Sequence, residues 1–196
     1  MNYPPPPYIT THLIGLATVI AISFLGLTFE DSFAQTITIE SVSQISDDNT
    51  LALFGANGST PFKIGTSTYV AVSSFNEGVQ ILDVSTPSSI SAVSQINDND
   101  LRTLQGANGI VSFKIGTSTY VAVSAEHDNG VQILDVSTPS SISTVSQITD
   151  DGTRALAIVQ GLTSFKIGTS TYLAVTAFYQ GVQILDVSTP SSISAV

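Results

Sequence analysis

Past its first forty residues the chain is a single unit written three times, and that repetition limits its fold more than any other feature. VSQI occurs at residues 42–45, 93–96 and 145–148. FKIGTSTY occurs unchanged at 62–69, 113–120 and 165–172, and GVQILDVSTPSSI unchanged at 78–90, 130–142 and 181–193. The first unit is offset from the second by 51 residues until segment 126–129, which carries one extra residue and makes the offset 52. A lone insertion marks a surface loop, because extra residues are tolerated where the backbone is solvated. Units of this length bury their apolar faces only by stacking on one another.

Each unit reads as four short strands. In the first unit these are residues 42–45, 62–64, 69–73 and 79–84, separated by a polar turn and Gly-rich stretch (46–58), a tight turn (65–68) and a loop (74–78). Segments rich in Val, Ile, Tyr and Thr, bounded by Gly, Pro, Asn and Asp, are β signals. Pro87 ends the fourth strand, since it has no amide to donate to a ladder. No helical period appears in residues 35–196. Val70, Ala71 and Val72, then Val79, Ile81, Leu82 and Val84, put apolar groups on both faces of their strands, which implies a sheet covered on both sides. The expectation is all-β: tandem four-stranded antiparallel repeats of about 51 residues, arranged as β-propeller blades at about 42–92, 93–144 and 145–196. A parallel β-helix needs shorter coils, and a row of sandwiches needs about seven strands per domain. Three units fall below the four to eight blades of ordinary propellers. The expected object is therefore a partial propeller, either a fragment of a longer reading frame or one completed by another copy.

The segment VQILDVSTP at 79–87, with copies at 131–139 and 182–190, resembles the LVIVD repeat, whose core reads LVIVDVSxP. Ile81, Asp83, Val84, Ser85 and Pro87 match directly, and VQIL stands for LVIV. The family's repeat is shorter than the 51 residues found here. The resemblance implies a bacterial or archaeal cell-surface protein with propeller-like repeats and no assigned activity.

The N-terminal part has a different character. Residues 13–29 are an uncharged apolar run, and Ser32 and Ala34 fit the small-residue positions of a signal-peptidase site. Residues 1–34 are thus expected to be a signal helix cleaved after Ala34. The alternatives are an uncleaved anchor, since 17 residues lie at the lower edge of a membrane span, or a buried helix. Either a signal or an anchor exports residues 35–196, to the medium or the cell surface and envelope, with the membrane touched only by the N-terminal segment. Pro4 to Pro7 read as extended chain.

Composition narrows the chemistry. With 15 Asp+Glu against 5 Lys+Arg the formal charge is −10, so no basic stripe exists to neutralise phosphates and nucleic acid is excluded as a partner. The same sign disfavours anionic lipid. No Cys is present, which excludes disulfides, thiolate catalysis and Cys-ligated zinc. Only 10% of residues are charged and mean hydropathy is +0.33, so the chain is no disordered acidic tail.

Asp83, Asp135 and Asp186 recur near the end of the fourth strand. Such residues could ring an axis, but an Asp before Ser-Thr-Pro more simply caps the turn through its carboxylate, so they are assigned a structural role. The acidic turns around Asp47, Asp98 and Asp150 could offer oxygens to calcium. They lack the EF-hand spacing and equally suit ordinary turns, so no metal or cofactor is assigned. His127 is the only histidine beyond the leader and sits in the inserted loop without a nucleophile motif, as a solvated loop residue. The loops before the fourth strand differ most between units. Their residues Phe75, Glu77, Glu126, His127, Asp128, Phe178 and Tyr179 are the binding candidates, although the aromatics could instead cover blade edges. Lys63, Lys114 and Lys166 recur in the second strand and read as solubilising an outer strand. Asn57-Gly-Ser59 is a glycosylation sequon and equally a turn.

Two functions fit: a non-catalytic binding or envelope-assembly platform, with a protein or glycan partner, or an exported propeller enzyme such as a metal-dependent hydrolase. Near-identical units favour the first, since an active site needs different residues from different blades.

Overall fold

Alternating apolar side chains on consecutive hairpins build three meandering antiparallel sheets. The computed structural model describes residues 41–99 and 101–196; the expected signal helix, residues 1–34, and Asp100 lie outside them. The first sheet runs in the order β1 (Ala56–Ile64), β2 (Ser67–Ser74), β3 (Gly78–Asp83), β4 (Ser91–Asn97). The second repeats it with β5 (Ala107–Ile115), β6 (Ser118–Ala125), β7 (Gly130–Asp135) and β8 (Ser143–Thr149). The third has β9 (Val159–Ile167), β10 (Ser170–Ala177), β11 (Gly181–Asp186) and β12 (Ser194–Ala195). No helix occurs among the described residues. The register repeats from sheet to sheet: Val79 pairs with Ile96 and Val131 with Ile148. Val93 and Val145 are extra residues in the outer strands, placing bulges opposite Ile81/Leu82 and Ile133/Leu134, which add twist.

Parity along each third strand explains the two apolar faces. Val131 and Ile133 point towards the third sheet and pack with Leu173, Val175, Leu185 and Val187. Leu134 and Val136 point the other way, into a core with Val79, Ile81 and Ala71 of the first sheet. Each sheet is thus a blade stacked face to face on its neighbours, and both cores lie between blades.

First strands lie innermost and side by side. The Thr60 hydroxyl donates to Ser112 Oγ at 3.3 Å, and the Ser164 hydroxyl reaches Ser112 O at 3.5 Å. The Ser73 and Ser124 hydroxyls donate to Asn108 O and Gln160 O of the next blade. At Gly109 a Cβ would stand 2.3 Å from Gln160 O, so only glycine permits this approach.

Three details differ from the sequence reading. VSQI does not open a sheet: at 93–96 and 145–148 it is the outermost strand of the preceding blade, and residues 42–45 form no strand. A repeat has no intrinsic start, and only pairing reveals its phase. The Gly-rich stretch contributes Ala56 to Gly58 to β1 rather than to a loop. Lys63, Lys114 and Lys166 stand exposed on innermost strands, not outer ones. Among the described residues no further strand pairs with the free edges of β1, β5 and β9.

A glutamine fastens each blade to the chain entering it. Gln132 Nε2 donates to Ser146 O at 2.7 Å and to Ile133 O at 3.2 Å, while its Oε1 accepts from Thr103 N at 3.1 Å. Gln80 and Gln183 make the corresponding bonds, to Ala52 N and Ala155 N among others. Gln132 is 1% exposed, whereas Gln183 is only half-buried. Gln132→Leu orphans a buried amide and a buried carbonyl and is expected to cost about 2–3 kcal/mol in urea denaturation. Gln183→Leu is expected to cost less than half of that, because water reaches its partners. Equal losses would contradict this account.

Candidate functional site

The antiparallel meander sends the turns to two opposite ends, and the repeat treats the ends differently. One end carries the hairpin turns of FKIGTSTY and the DVSTPSSI connections, identical in all three blades. The other end gathers the β2–β3, β6–β7 and β10–β11 turns with the connectors that enter each blade, and most differences between units fall there.

Backbone bonds stitch turn to connector: Phe75 N to Gly55 O at 3.0 Å, Glu126 N to Gly106 O at 2.9 Å, and Phe178 N to Ile158 O at 3.1 Å. Side chains add one more tie per blade. Glu77 accepts from Phe54 N at 2.9 Å, Asp128 from Gln105 N at 2.8 Å and Gln180 from Ala157 N at 2.8 Å. Three different residue types therefore hold the same amide. Sequence reasoning missed this because the inserted residue shifts Asp128 out of alignment. Glu126 receives a bond from Asn108 Nδ2 at 3.3 Å.

The aromatics form two pairs. Phe75 meets His127 edge-on, centroids 4.9 Å apart, across two blades. His127 is exposed, yet it is packed on a ring rather than merely solvated, a contact that no sequence spacing signals. Phe178 and Tyr179 pair edge-on at 4.7 Å within one turn and remain 62% and 76% exposed. Phe54 and Leu101 stand exposed on the same end.

The acidic turns are Asx turns. Asp47 accepts from Asn49 N and Asp150 from Gly152 N, while Asp48 and Asp151 each accept the amide and hydroxyl of a Thr two residues on. Asp151 also pairs with Arg154 at 2.7 Å. Asp98 N donates to Glu77 O at 3.0 Å. Among the described residues no group of three His, Asp or Glu side chains is placed to hold a metal ion. Asn57 lies exposed on β1.

At the invariant end, Asp83, Asp135 and Asp186 each accept from the amide of the Ser two residues on at 2.8 Å. The Ser188 hydroxyl first, and then its amide, hold the Asp186 carboxyl below the usual carboxylate range, and Ser85 does the same for Asp83. Thr50 and Thr153, again hydroxyl before amide, lower Asp48 and Asp151. A depressed folded value stabilises the fold above the unfolded value of about 3.9, and that contribution is lost as pH falls through the folded value.

Backbone strain also gathers at the variable end. Ile158 adopts φ +54° where the other connectors have Gly55 at +80° and Gly106 at +73°. A β-branched residue is unusual in the left-handed region, and Asn129 Oδ1 holds it there by accepting from Ile158 N at 2.7 Å.

The LVIVD repeat family matches residues 65–98 and 116–150, which are the β2–β4 and β6–β8 portions of two blades. The chain thus carries LVIVD repeats. No curated protein matches it. Among solved structures, an exo-β-1,3-galactanase from Phanerochaete chrysosporium, crystallised with β-1,3-galactotriose, aligns with TM-score 0.53 and 13% identity over 80% of this chain and 41% of that one. A protein described as an exo-β-1,3-galactanase from Bifidobacterium bifidum aligns with TM-score 0.50 and 14% identity over 74% of this chain and 51% of that one. The chain therefore spans about half the length of these proteins or less. At such identities the likeness establishes the fold, a β-propeller.

Two measurements check the site's local physics. NMR titration is expected to give Asp186 a midpoint below that of a free Asp, and Ser188→Ala should raise it; an unmoved midpoint refutes the hydroxyl's role. Gly106→Ile, whose Cβ would meet His127 N at 2.9 Å, is expected to cost more than about 2 kcal/mol. Ile158→Gly should stay within about 1 kcal/mol of neutral, strain relief offsetting lost burial. Equal effects would mean that Ile158 is unstrained.

Proposed function

We propose that this propeller repeat protein is a non-catalytic binding platform, exported to the cell surface or medium, that engages a protein or glycan through its variable end. The observation that carries the reading is the division of labour between the ends. One end is identical in every blade and spends its hydrogen bonds on itself. The other differs in every blade and exposes Phe54, Phe178 and Tyr179. Divergent loops on a rigid scaffold are a common binding layout, and exposed aromatic faces stack on sugars or anchor protein partners at little entropic cost.

The rival reading is a glycosidase, which the fold of the galactanases brings forward. Such an enzyme needs two carboxyls flanking the scissile bond, about 5 to 9.5 Å apart. Here Glu77 and Asp128 are engaged by connector amides. A cavity of about 160 Å³ beside the first blade is lined by Leu51, Gln80, Ala92, Val93, Ser94 and Gln95, without a carboxylate.

The full chain is tested on a panel of immobilised envelope polysaccharides and proteins and, separately, on β-1,3-galactotriose. The expected result is retention on a panel member that Phe178→Ala/Tyr179→Ala abolishes with the melting temperature unchanged, and no release of reducing sugar. Sugar release that Glu126→Gln or Asp128→Asn suppresses would replace this reading with the glycosidase.

A further inference from the structure

We propose that the innermost strands form, at the variable end, a binding site for an uncharged oligosaccharide, read through the carboxamides of Asn57, Asn108 and Gln160 and the carboxylate of Glu126. The proposal rests on the binding-platform reading above and narrows its ligand to one chemical class.

The packing of the blades brings the three carboxamides side by side. Residues 57, 108 and 160 are equivalent positions of the repeat, near the starts of β1, β5 and β9. A Cβ on Gly58 would stand 2.5 Å from Asn108 O, and one on Gly109 would stand 2.3 Å from Gln160 O. The main chains at these positions therefore touch from blade to blade. The Ser73 hydroxyl donates to Asn108 O, and the Ser124 hydroxyl donates to Gln160 O at 2.7 Å. These bonds fix the backbone of residues 108 and 160 without engaging their side chains.

A carboxamide is kept here while its surroundings change. Three positions earlier the units carry Phe54, Gln105 and Ala157, and two positions later Ser59, Ile110 and Leu162. Asn57 and Gln160 are exposed and Asn108 is half-buried. Among the described residues the Asn57 and Gln160 side chains have no hydrogen-bond partner. The blades thus retain a donor and an acceptor at this position and leave two of the three pairs unspent.

The longer turn of the second unit adds an acceptor and a ring surface. Asn108 Nδ2 donates to Glu126 Oε2 at 3.3 Å, which leaves Asn108 Oδ1 and Glu126 Oε1 open. His127 follows in the same turn and rests edge-on against Phe75 of the first blade, centroids 4.9 Å apart. The second blade has a neighbour on each face, so this cluster is flanked on both sides by packed chain.

These groups select a sugar over other ligands. A carboxamide presents a donor beside an acceptor, and a carboxylate accepts from two hydroxyls. Adjacent hydroxyls of a sugar ring are each donor and acceptor, so they satisfy such a set without carrying charge. Ring surfaces suit the C–H face of the same ligand. An anionic ligand finds no cation. Of the five Lys and Arg, Lys63, Lys114 and Lys166 stand beside the invariant hairpin turns. Arg102 donates to Asn97 O at 2.7 Å, and Arg154 pairs with Asp151 at 2.7 Å. Glu126 would repel a carboxylate or phosphate. A protein partner gains most from an anchor driven into a dry pocket, which this polar cluster does not offer.

The isotope-labelled full chain, held in mild detergent, is titrated with maltotriose, cellotriose, laminaritriose, mannotriose and chitotriose, and in parallel with trigalacturonate. At least one uncharged trisaccharide is expected to shift the side-chain amide NMR signals of Asn57, Asn108 and Gln160 together and saturably. Asn57→Ala and Gln160→Ala, at exposed side chains, should each weaken that binding about tenfold with the melting temperature unchanged. Equal binding of trigalacturonate, or binding that both variants leave intact, overturns the proposal. If no uncharged trisaccharide binds while an immobilised protein is retained through Phe178 and Tyr179, the sugar site is refuted and the platform reading stands. If neither assay shows binding, both fall.

Discussion

Apolar contact between neighbouring blades is the interaction on which the other features depend. On β7 and the residue that follows it, Val131 and Ile133 pack forward and Leu134 and Val136 pack backward, all fully buried. At about 1.5–3 kcal/mol for each buried side chain, that strand alone contributes about 6–12 kcal/mol of transfer free energy, as much as the whole net stability of an ordinary domain. A single sheet in water would forfeit most of it. The serine hydroxyls that cross from blade to blade at Asn108 O and Gln160 O fix the angle at which these faces meet, and the glycine at 109 sets how closely.

Much of this was legible in the sequence, because apolar residues at both parities of GVQILDV admit only a sheet covered on both sides. The strand count, the antiparallel meander and the propeller class follow from it. The phase of the repeat was not legible. VSQI has the same sequence whether it opens one unit or closes the one before, and only the pairing of Ile96 with Val79 decides. The same ambiguity misplaced Lys63 and its copies, which occupy innermost strands because the first strand of the repeat belongs elsewhere.

The site was legible in outline and obscure in detail. Divergence among the loops singles out Phe75, Glu77, Glu126, His127, Asp128, Phe178 and Tyr179, but composition does not tell which of them face inward to the backbone. Glu77 and Asp128 look like surface charges and act as amide acceptors. His127 looks like a solvated loop residue and leans on Phe75 of another blade. Ile158 gives no sign in the sequence that it stands at a backbone geometry held elsewhere by glycine, since that geometry is defined by a connector whose sequence differs in every unit.

The interchangeability of Glu77, Asp128 and Gln180 has a practical corollary. Any side chain that can offer one oxygen to the incoming connector keeps the stem of the turn in place, whatever its length or composition beyond that point. The second unit has already accommodated a longer turn on these terms. Foreign hairpin tips could be grafted between such stems, a different one in each blade, giving a scaffold for engineered recognition whose frame need not be redesigned with each new cargo.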